Sequence, residues 1–445
     1  MRKKRKPLQE HEAVVESLSH DGKGICRVEG KAIFVAGALP GERIRFSFRP
    51  EKRKYDEGAL LEVLQASPDR IEAKCKHYGV CGGCSFMHLS SEKQIEAKQQ
   101  VLLDGLKHIG KVQAAEILPP ITTHPWGYRR KARLGVKFVH KKEKVLVGFR
   151  ERNAPFLAEL EQCEVLHPDA GLRLTSLAGL IRSLSCYDKI AQIEVAIAEE
   201  TSAFVFRNLV ELTGDDEEKL VNYAQQEGIA IYIQPGGPDT VRPLYPPAPR
   251  LFYRLADYDV TLDFEPTDFT QVNQDINPKM VAQALELLEL NENDKVLELF
   301  CGLGNFTLPM ARTAKHVTGV EGDAELIARA NQNAERNGIS NTDLHVANLM
   351  EDVSDSSWLK KDYDKLLLDP PRSGAKEILP LLEKLNIDRI VYVSCNPSTL
   401  ARDAGVLVNE MGYRLDKAGI MDMFPHTAHV ESIALFTKNE KKKKK

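Results

Sequence analysis

Cys395 is the residue around which a reaction can be drawn. It follows Ile390-Val391-Tyr392-Val393, a short β-branched and aromatic run that reads as a buried strand. Asn396-Pro397 stops that strand, because proline cannot continue a ladder. Ser398 and Thr399 are residues that cap the helix expected to begin near Leu400. A thiol is thereby presented at the carboxyl end of a strand, beside a helix N-terminus. In open α/β sheets that edge binds ligands, and a helix N-terminus lowers a thiol pKa. A lone cysteine is more often an inert core thiol, so its neighbours decide.

Asp369-Pro370-Pro371-Arg372-Ser373-Gly374 leaves the preceding strand. Two prolines stiffen this loop, and Arg372 can hold a phosphate or a base edge. A similar acid- or amide-Pro-Pro-aromatic loop serves enzymes that methylate exocyclic nitrogens, but those need no cysteine. A cysteine is required when the target is carbon 5 of a pyrimidine, a poor nucleophile. A thiolate adds to carbon 6, carbon 5 becomes enolate-like, and it then takes a methyl group from a sulfonium. A base must afterwards remove the hydrogen at carbon 5. Residues 424–432 offer His426, His429 and Glu431; Glu431 is the expected base, and the two histidines read as ordinary loop residues. The target nucleotide must be splayed or flipped into the pocket.

A ligand site precedes these residues. In Glu298-Leu299-Phe300-Cys301-Gly302-Leu303-Gly304-Asn305, two glycines let a ligand approach the backbone at a helix N-terminus. A dinucleotide fingerprint wants a third glycine at position 307, where Thr307 stands. Glu321 ends the next strand and can accept both ribose hydroxyls, and Asn348 follows the third strand, where an adenine ring would lie. The combination suits S-adenosylmethionine better than NAD.

A separate cluster, Cys75-x5-Cys81-x2-Cys84, has Gly82 and Gly83 inside it, and Cys163 lies far downstream. Four thiolates suit zinc or an iron–sulfur cluster. Structural zinc sites more often draw on two close pairs, so three clustered cysteines and a distant one favour iron–sulfur. The spacing is not that of radical enzymes that cleave S-adenosylmethionine, which points to a structural or RNA-shaping role. Cys26 and Cys186 read as core thiols.

The elements that position these groups follow from patterning. A chain of 445 residues is long for one core. Its last ~180 residues alternate strand and helix, so a doubly wound, Rossmann-like α/β domain is expected over 251–438. Its strands fall at 295–300, 316–321, 343–347, 365–368 and 389–394, with a helix at 324–337 closed by Gly338. Residues 12–68 read as a small β-barrel of oligonucleotide-binding type. In it, Arg43-Ile44-Arg45-Phe46-Ser47-Phe48-Arg49 alternates a basic face with an apolar one. Residues 69–250 read as an α+β central domain, with a helix over 92–108 and a proline-rich connection at 235–249. Within it Tyr128-Arg129-Arg130-Lys131-Ala132-Arg133, followed by Lys137, Lys141, Lys142 and Lys144, has the cationic and aromatic content of a single-strand RNA surface.

Basic tails at 1–11 and 439–445 flank a chain of net charge -3, so the whole is not a polyanion-binding sponge. No apolar run reaches the ~18 residues of a membrane span, and no apolar segment follows the basic N-terminus as in a signal peptide. The eight cysteines then suit a reducing, cytoplasmic setting. Nothing calls for a protein partner or for more than a monomer.

Taken together these residues resemble the bacterial RNA uracil-C5 methyltransferases, and most closely their 23S rRNA branch. The likeness covers nearly the whole chain. It rests on Asp268-Phe269-Thr270-Gln271-Val272-Asn273-Gln274, the glycine turn at 299–306, the acid-Pro-Pro-Arg loop at 369–374 and Ser394-Cys395-Asn396-Pro397. The resemblance implies a TRAM-like barrel and a [4Fe-4S] cluster on Cys75, Cys81, Cys84 and Cys163. It implies S-adenosylmethionine contacts from Gln271, Phe300, Asn305, Glu321, Asn348 and Asp369, with Cys395 as nucleophile and Glu431 as base. The substrate it implies is the uridine at position 1939 of 23S rRNA. Ala428 stands where the family has glycine. The readings left beside it are another 23S uridine, the tRNA T-loop uridine, a nitrogen methyltransferase that tolerates loss of Cys395, and a non-catalytic RNA-binding iron–sulfur protein.

Overall fold

The computed structural model describes residues 7–51 and 54–439. The basic runs at 2–6 and 441–445, with Lys52 and Arg53, lie outside the described residues. The chain divides into two compact units. One comprises Met1–Val101, Phe149–Ala158 and Phe424–His429; the other comprises Leu102–Gly148, Glu159–Met423 and Val430–Lys445.

The first unit begins with a six-stranded sheet in the order Gln9–Val14, Arg43–Phe48, Tyr55–Gln65, Lys31–Ala36, Lys23–Val28, Ser17–Leu18. The two edge strands are joined only by Val15 and Glu16, so the sheet returns on itself. Val15, Cys26, Ile33, Val35, Ile44 and Phe46 fill it, which makes Cys26 the core thiol expected. The basic face is neutralised in place. Arg43 reaches Glu12 at 2.9 Å, and Arg45 reaches Glu62 at 2.8 Å and Glu12 at 3.3 Å. Glu42, fully buried, takes Arg70 and the N–H groups of Leu39 and Ser67. Burial acts on its carboxyl upward, but these donors outweigh it and leave the pKa below the usual range.

The same unit holds the cysteine loop. Gly82 N–H donates to Arg150 O and Arg152 N–H to Val80 O, so the 149–158 segment lies along the loop. Arg152 also donates to Cys84 O at 2.6 Å and stacks over the Tyr78 ring at 5.2 Å. His426 is buried here. Its carbonyl accepts from Ser85 and Phe86 N–H at 2.9 Å each, and its own N–H donates to Gln94 Oε1 at 2.9 Å.

The second unit contains two large sheets. One is mixed, in the order Arg242–Tyr245, Ala230–Ile233, Ser202–Asn208, Ile190–Ile197, Lys131–Val139, Lys144–Gly148. Part of the proline-rich stretch is therefore an edge strand, where proline costs no ladder bond. Tyr128 is buried, Arg130 donates to Ala198 O, Lys131 to Pro266 O, Arg133 pairs with Glu194, and Lys142 and Lys144 pair with Glu159. Arg130 and Lys131 are thus tied within the unit, while Arg133, Lys137, Lys141, Lys142 and Lys144 remain exposed.

The other sheet is the doubly wound one. Its strands are β1 (Lys295–Leu299), β2 (His316–Glu321), β3 (Thr342–Val346), β4 (Lys365–Leu368), β5 (Arg389–Ser394), β6 (Tyr413–Met421) and β7 (Glu431–Lys438). They lie in the order β3-β2-β1-β4-β5-β7-β6, with Glu116–Ile117 beside β6. Strands β1 to β5 are parallel, and β7 is antiparallel to both β5 and β6. Leu297, Val317, Leu366, Leu367, Ile390 and Val391 are fully buried, as parallel strands covered on both faces must be. The order reverses between β1 and β4, and that is where such sheets open a crevice.

Candidate active site

The crevice holds a cavity of about 560 Å³, the size of a small-molecule site. Gln271, Phe300, Asn305, Glu321, Asn348, Asp369, Cys395 and Glu431 all line it. The eight residues come from seven separate stretches of sequence, brought together by the carboxyl ends of β1 to β5, the start of β7 and the segment before the helix Ile276–Leu288.

The glycine turn is shaped for close approach. Gly302 (φ 54°) and Gly304 (φ 96°) are left-handed, and Phe300, a non-glycine, is too, at φ 67°. Such a conformation in a bulky residue is uncommon and costs of order 1 kcal/mol. It persists because Phe300 and Cys301 N–H both donate to Val320 O, at 2.8 and 3.1 Å. Glu321 is fixed by the turn itself, accepting from Gly302 N–H at 3.1 Å and Gly322 N–H at 2.7 Å. Its carboxylate therefore faces the cavity in a set orientation.

Asn305 is a partner in a pair. Its Oδ1 accepts from Tyr253 Oη and Asn277 Nδ2, and its Nδ2 donates to Asn277 Oδ1, all at 2.9 Å. One amide hydrogen is left for a ligand. Asn348 is held inside its own loop, donating to Glu351 and accepting from Met350 N–H. Gln271 sits between anchors. Asp268 pairs with Arg329 and accepts from Glu265 N–H, and Asn273 Oδ1 accepts from Asp275 and Ile276 N–H at the start of the helix Ile276–Leu288. These fits support a nucleoside-bearing ligand: open glycine turns, a fixed second-strand carboxylate and an apolar wall.

The chemistry end carries four carboxyls and one nearby cation. Glu298 is fully buried; one oxygen accepts from Thr307 Oγ1, and the other has no protein partner. Burial, with Asp369 and Glu321 adding, pushes its pKa to about 8 despite Thr307. Burial and then Glu321 raise Asp369 to about 7. Burial and then Asp369 raise Glu431 to about 8, against Arg372. Cys395 is half-buried; burial, then Glu431 and Asp369, hold its thiol up at about 11, again against Arg372. The acid-lined pocket thus raises the thiol, where the helix N-terminus alone would lower it.

The helix after Cys395 begins at Pro397, not Leu400. Asn396, not Ser398 or Thr399, is its cap, accepting from Ser398 N–H at 3.1 Å. Proline is pre-organised for the first turn, where its missing N–H costs nothing. His426 and His429 do not line the cavity.

The cysteine triplet is different in kind. Cys75, Cys81 and Cys84 are half-buried in the first unit, and Cys163 belongs to the second. No disulfide joins any of the eight cysteines. Cys81 Sγ accepts from Gly83 N–H at 3.4 Å, and a Cβ on Gly82 would press on Arg150 O at 3.2 Å. The donor chemistry suits a thiolate-bound metal centre. Among the described residues no group of three or more His, Cys, Asp or Glu converges as a ready chelate.

Residues 252–439 match the family model described as tRNA (Uracil-5-)-methyltransferase, and residues 4–45 match the TRAM domain. The 23S rRNA (uracil(1939)-C(5))-methyltransferase RlmD of Methylococcus capsulatus is 52% identical over 438 residues, covering 98% of this chain and 99% of that one. The chain belongs to the RNA uracil-5-methyltransferase family. The RlmD protein of Nitrosococcus oceani is 51% identical with the same coverage. The fold is that of the Pyrococcus abyssi tRNA (uracil-54, C5)-methyltransferase, solved with S-adenosyl-L-homocysteine. The two share a TM-score of 0.73 and 24% identity, over 96% of this chain and all of the other.

Beyond the sites expected of this uracil-5-methyltransferase, the structure adds four residues. Tyr253 and Asn277 hold Asn305 from behind. Glu298 lies under the turn, and Phe269 stands 69% exposed while lining the cavity. Glu298 and Phe269 sat inside the quoted motifs. Nothing in the sequence pointed to Tyr253 or Asn277.

Proposed function

We propose that the protein methylates carbon 5 of the uridine at position 1939 of 23S rRNA, with S-adenosylmethionine as methyl donor. The full-length likeness to proteins of that activity supports the substrate. The observation that carries the chemistry is the convergence of Cys395 and Glu431 in the cavity that Glu321 and the glycine turn also line.

In this reading Gln271, Phe300, Asn305, Glu321, Asn348 and Asp369 bind the methyl donor, which supplies an electrophilic methyl group. Cys395 loses its proton to water and its sulfur bonds carbon 6 of the flipped uracil. The electron pair displaced to carbon 5 takes the methyl group. Glu431 then removes the carbon 5 proton, and the electrons released expel the Cys395 sulfur as the carbon 5–carbon 6 double bond reforms. A carboxyl held near pKa 8 suits that task, since a base works best with its pKa close to ambient pH.

The reading extends to the rest of the chain. Residues 12–68 form the TRAM-like RNA-binding barrel, 69–250 the central domain and 251–438 the methyltransferase domain. Cys75, Cys81, Cys84 and Cys163 hold a [4Fe-4S] cluster, for which the four-thiol donor set and the glycines between Cys81 and Cys84 are the support. The protein works as a monomer in the cytoplasm. No helix among the described residues is long and apolar enough to cross a membrane.

Mapping 5-methyluridine in RNA from a deletion strain tests the target. Loss at 1939 alone, restored by the gene, is expected; loss at another 23S position or in the tRNA T-loop moves the substrate and keeps the chemistry. Iron and acid-labile sulfide in anaerobically purified protein test the cluster, and a Cys81→Ser protein that retains both refutes it.

A further inference from the structure

We infer that Asn396 is a positioning residue of this reaction, a strut that holds the Arg372 loop against the nucleophile turn; the inference rests on the function proposed above. Its side chain works at both ends. The Oδ1 atom accepts from Ser398 N–H at 3.1 Å and caps the helix Pro397–Asn409. The Nδ2 atom donates to the carbonyl of Arg372 at 2.9 Å. Thr399 Oγ1 reaches the same carbonyl at 3.3 Å, and Arg402 Nη2 donates to Ser373 O at 2.8 Å. Asp403, fully buried, accepts from Ala375 N–H at 2.8 Å and Tyr392 Oη at 2.7 Å. One helix thus grips the loop backbone at Arg372, Ser373 and Ala375.

The grip matters because of what Arg372 faces. The charged groups that act on Cys395 are Glu431 at the start of β7 and Asp369 and Arg372 on the loop after β4. Arg372 is the cation of that set. It opposes burial and the two carboxylates, which together hold the thiol protonated, and it acts on Glu431 in the same sense. Pro370 and Pro371 have no N–H to donate, so the loop beside Arg372 is held from the residues after them, and the Asn396 amide bonds the Arg372 carbonyl itself. A displaced Arg372 leaves Cys395 facing acid alone. A cap needs only an acceptor, and serine serves as well as asparagine. The second hydrogen bond, to Arg372, needs the amide.

The test separates the two roles. Asn396→Ser keeps a cap acceptor and loses the reach to Arg372. Alkylation of Cys395 by iodoacetamide at pH 9, resolved by peptide mass spectrometry on the full-length protein, reports its thiolate fraction. Asn396→Ser is expected to alkylate about 3-fold more slowly, the change that a half-unit rise in pKa produces. Arg372→Gln should slow it likewise, and the double variant should be no slower than Arg372→Gln alone. In methyl transfer, Asn396→Ser should lower kcat roughly 10- to 100-fold, as misplacement does, with KM for the methyl donor unchanged. A wild-type alkylation rate in Asn396→Ser, or rates that multiply in the double variant, overturn the proposal. Should Asn396→Ser not fold, Asn396→Thr also keeps a cap acceptor and lacks the amide that reaches Arg372, and a wild-type rate there is equally fatal. Alkylation needs neither RNA nor methyl donor. Methyl transfer surviving in Cys395→Ala would sink the proposed function and leave this measurement readable.

Discussion

Ser432 Oγ donates to the carbonyl of Ser394 at 3.2 Å, and the two stand opposite each other in the antiparallel pairing of β5 and β7. They are the chain neighbours of Glu431 and Cys395. The proposed base and nucleophile, 36 positions apart in sequence, are therefore set by one ladder register. A slip of one residue would turn Glu431 to the other face of the sheet. This is why the last strand has to run antiparallel between β5 and β6: it delivers a carboxyl to the edge where the parallel strands end.

Replacing Glu431 by Gln should divide the reaction. The thiol still adds and the methyl group still transfers, but the carbon 5 proton stays. Turnover should fall by about 10²- to 10⁴-fold, the range for loss of a general base, while a methylated protein–RNA adduct builds up on denaturing gels. Slow turnover without an adduct would move the base elsewhere.

Activity should depend on pH through the same groups. Glu431 must be ionised to act as base, and Cys395 must lose its proton; burial and neighbouring carboxylates raise both, to about 8 and about 11. Single-turnover rates at saturating methyl donor should rise from pH 6.5 to pH 9. In Glu431→Gln, where the reaction stops at the adduct, the inflection near 8 should disappear, and adduct formation should keep the rise that belongs to the thiol. A flat profile in the wild type contradicts the assignment.

Glu298 carries a stability prediction. Its folded pKa, about 8, lies above its ordinary value of 4.5, so the folded state holds a proton that the unfolded chain has shed between those two pH values. Stability from this group is complete below pH 4.5 and falls as pH rises toward 8. Glu298→Gln removes the titration and retains an acceptor for Thr307. Its Tm relative to wild type should be higher at pH 9 than at pH 6, by roughly 2 °C or more, the shift that accompanies ~1 kcal/mol in a domain of this size. An equal difference at both pH values refutes a buried, protonated Glu298.

Glu321 should set affinity for the methyl donor. Glu321→Ala removes the acceptor oriented by Gly302 and Gly322. KM for S-adenosylmethionine should rise about 10-fold or more, as for a lost charged hydrogen bond of ~1.5–3 kcal/mol, with kcat nearly unchanged. A kcat effect without a KM effect would place Glu321 away from the ribose.

The parts legible in the sequence are those written locally. Strands β1 to β5 are short, continuous apolar runs, and four of the eight cavity residues sit at their ends or one step beyond. The sequence reading stopped at β5. The strands β6 and β7 have no crossover helix between them to mark the alternation, and β6 carries a register shift between Leu415 and Lys417 that breaks its period. Contacts across long separations were equally hidden. Tyr253 meets Asn305 52 residues away, and no local pattern encodes that. Composition at 128–144 likewise does not say which cations are already paired, as Arg133 is with Glu194, or that Tyr128 is buried. The direction of the Cys395 shift is hidden for a related reason: it comes first from burial in the folded pocket, and then from acids on β7 and the loop after β4.

The most direct test of the account is methyl transfer to a 23S fragment carrying the 1939 loop, with S-adenosylmethionine labelled in the methyl group. Wild type and Cys395→Ala are compared under anaerobic conditions. The account predicts label at carbon 5 of that uridine with wild type and none with Cys395→Ala. Label transferred at an undiminished rate by Cys395→Ala would contradict covalent catalysis through this thiol.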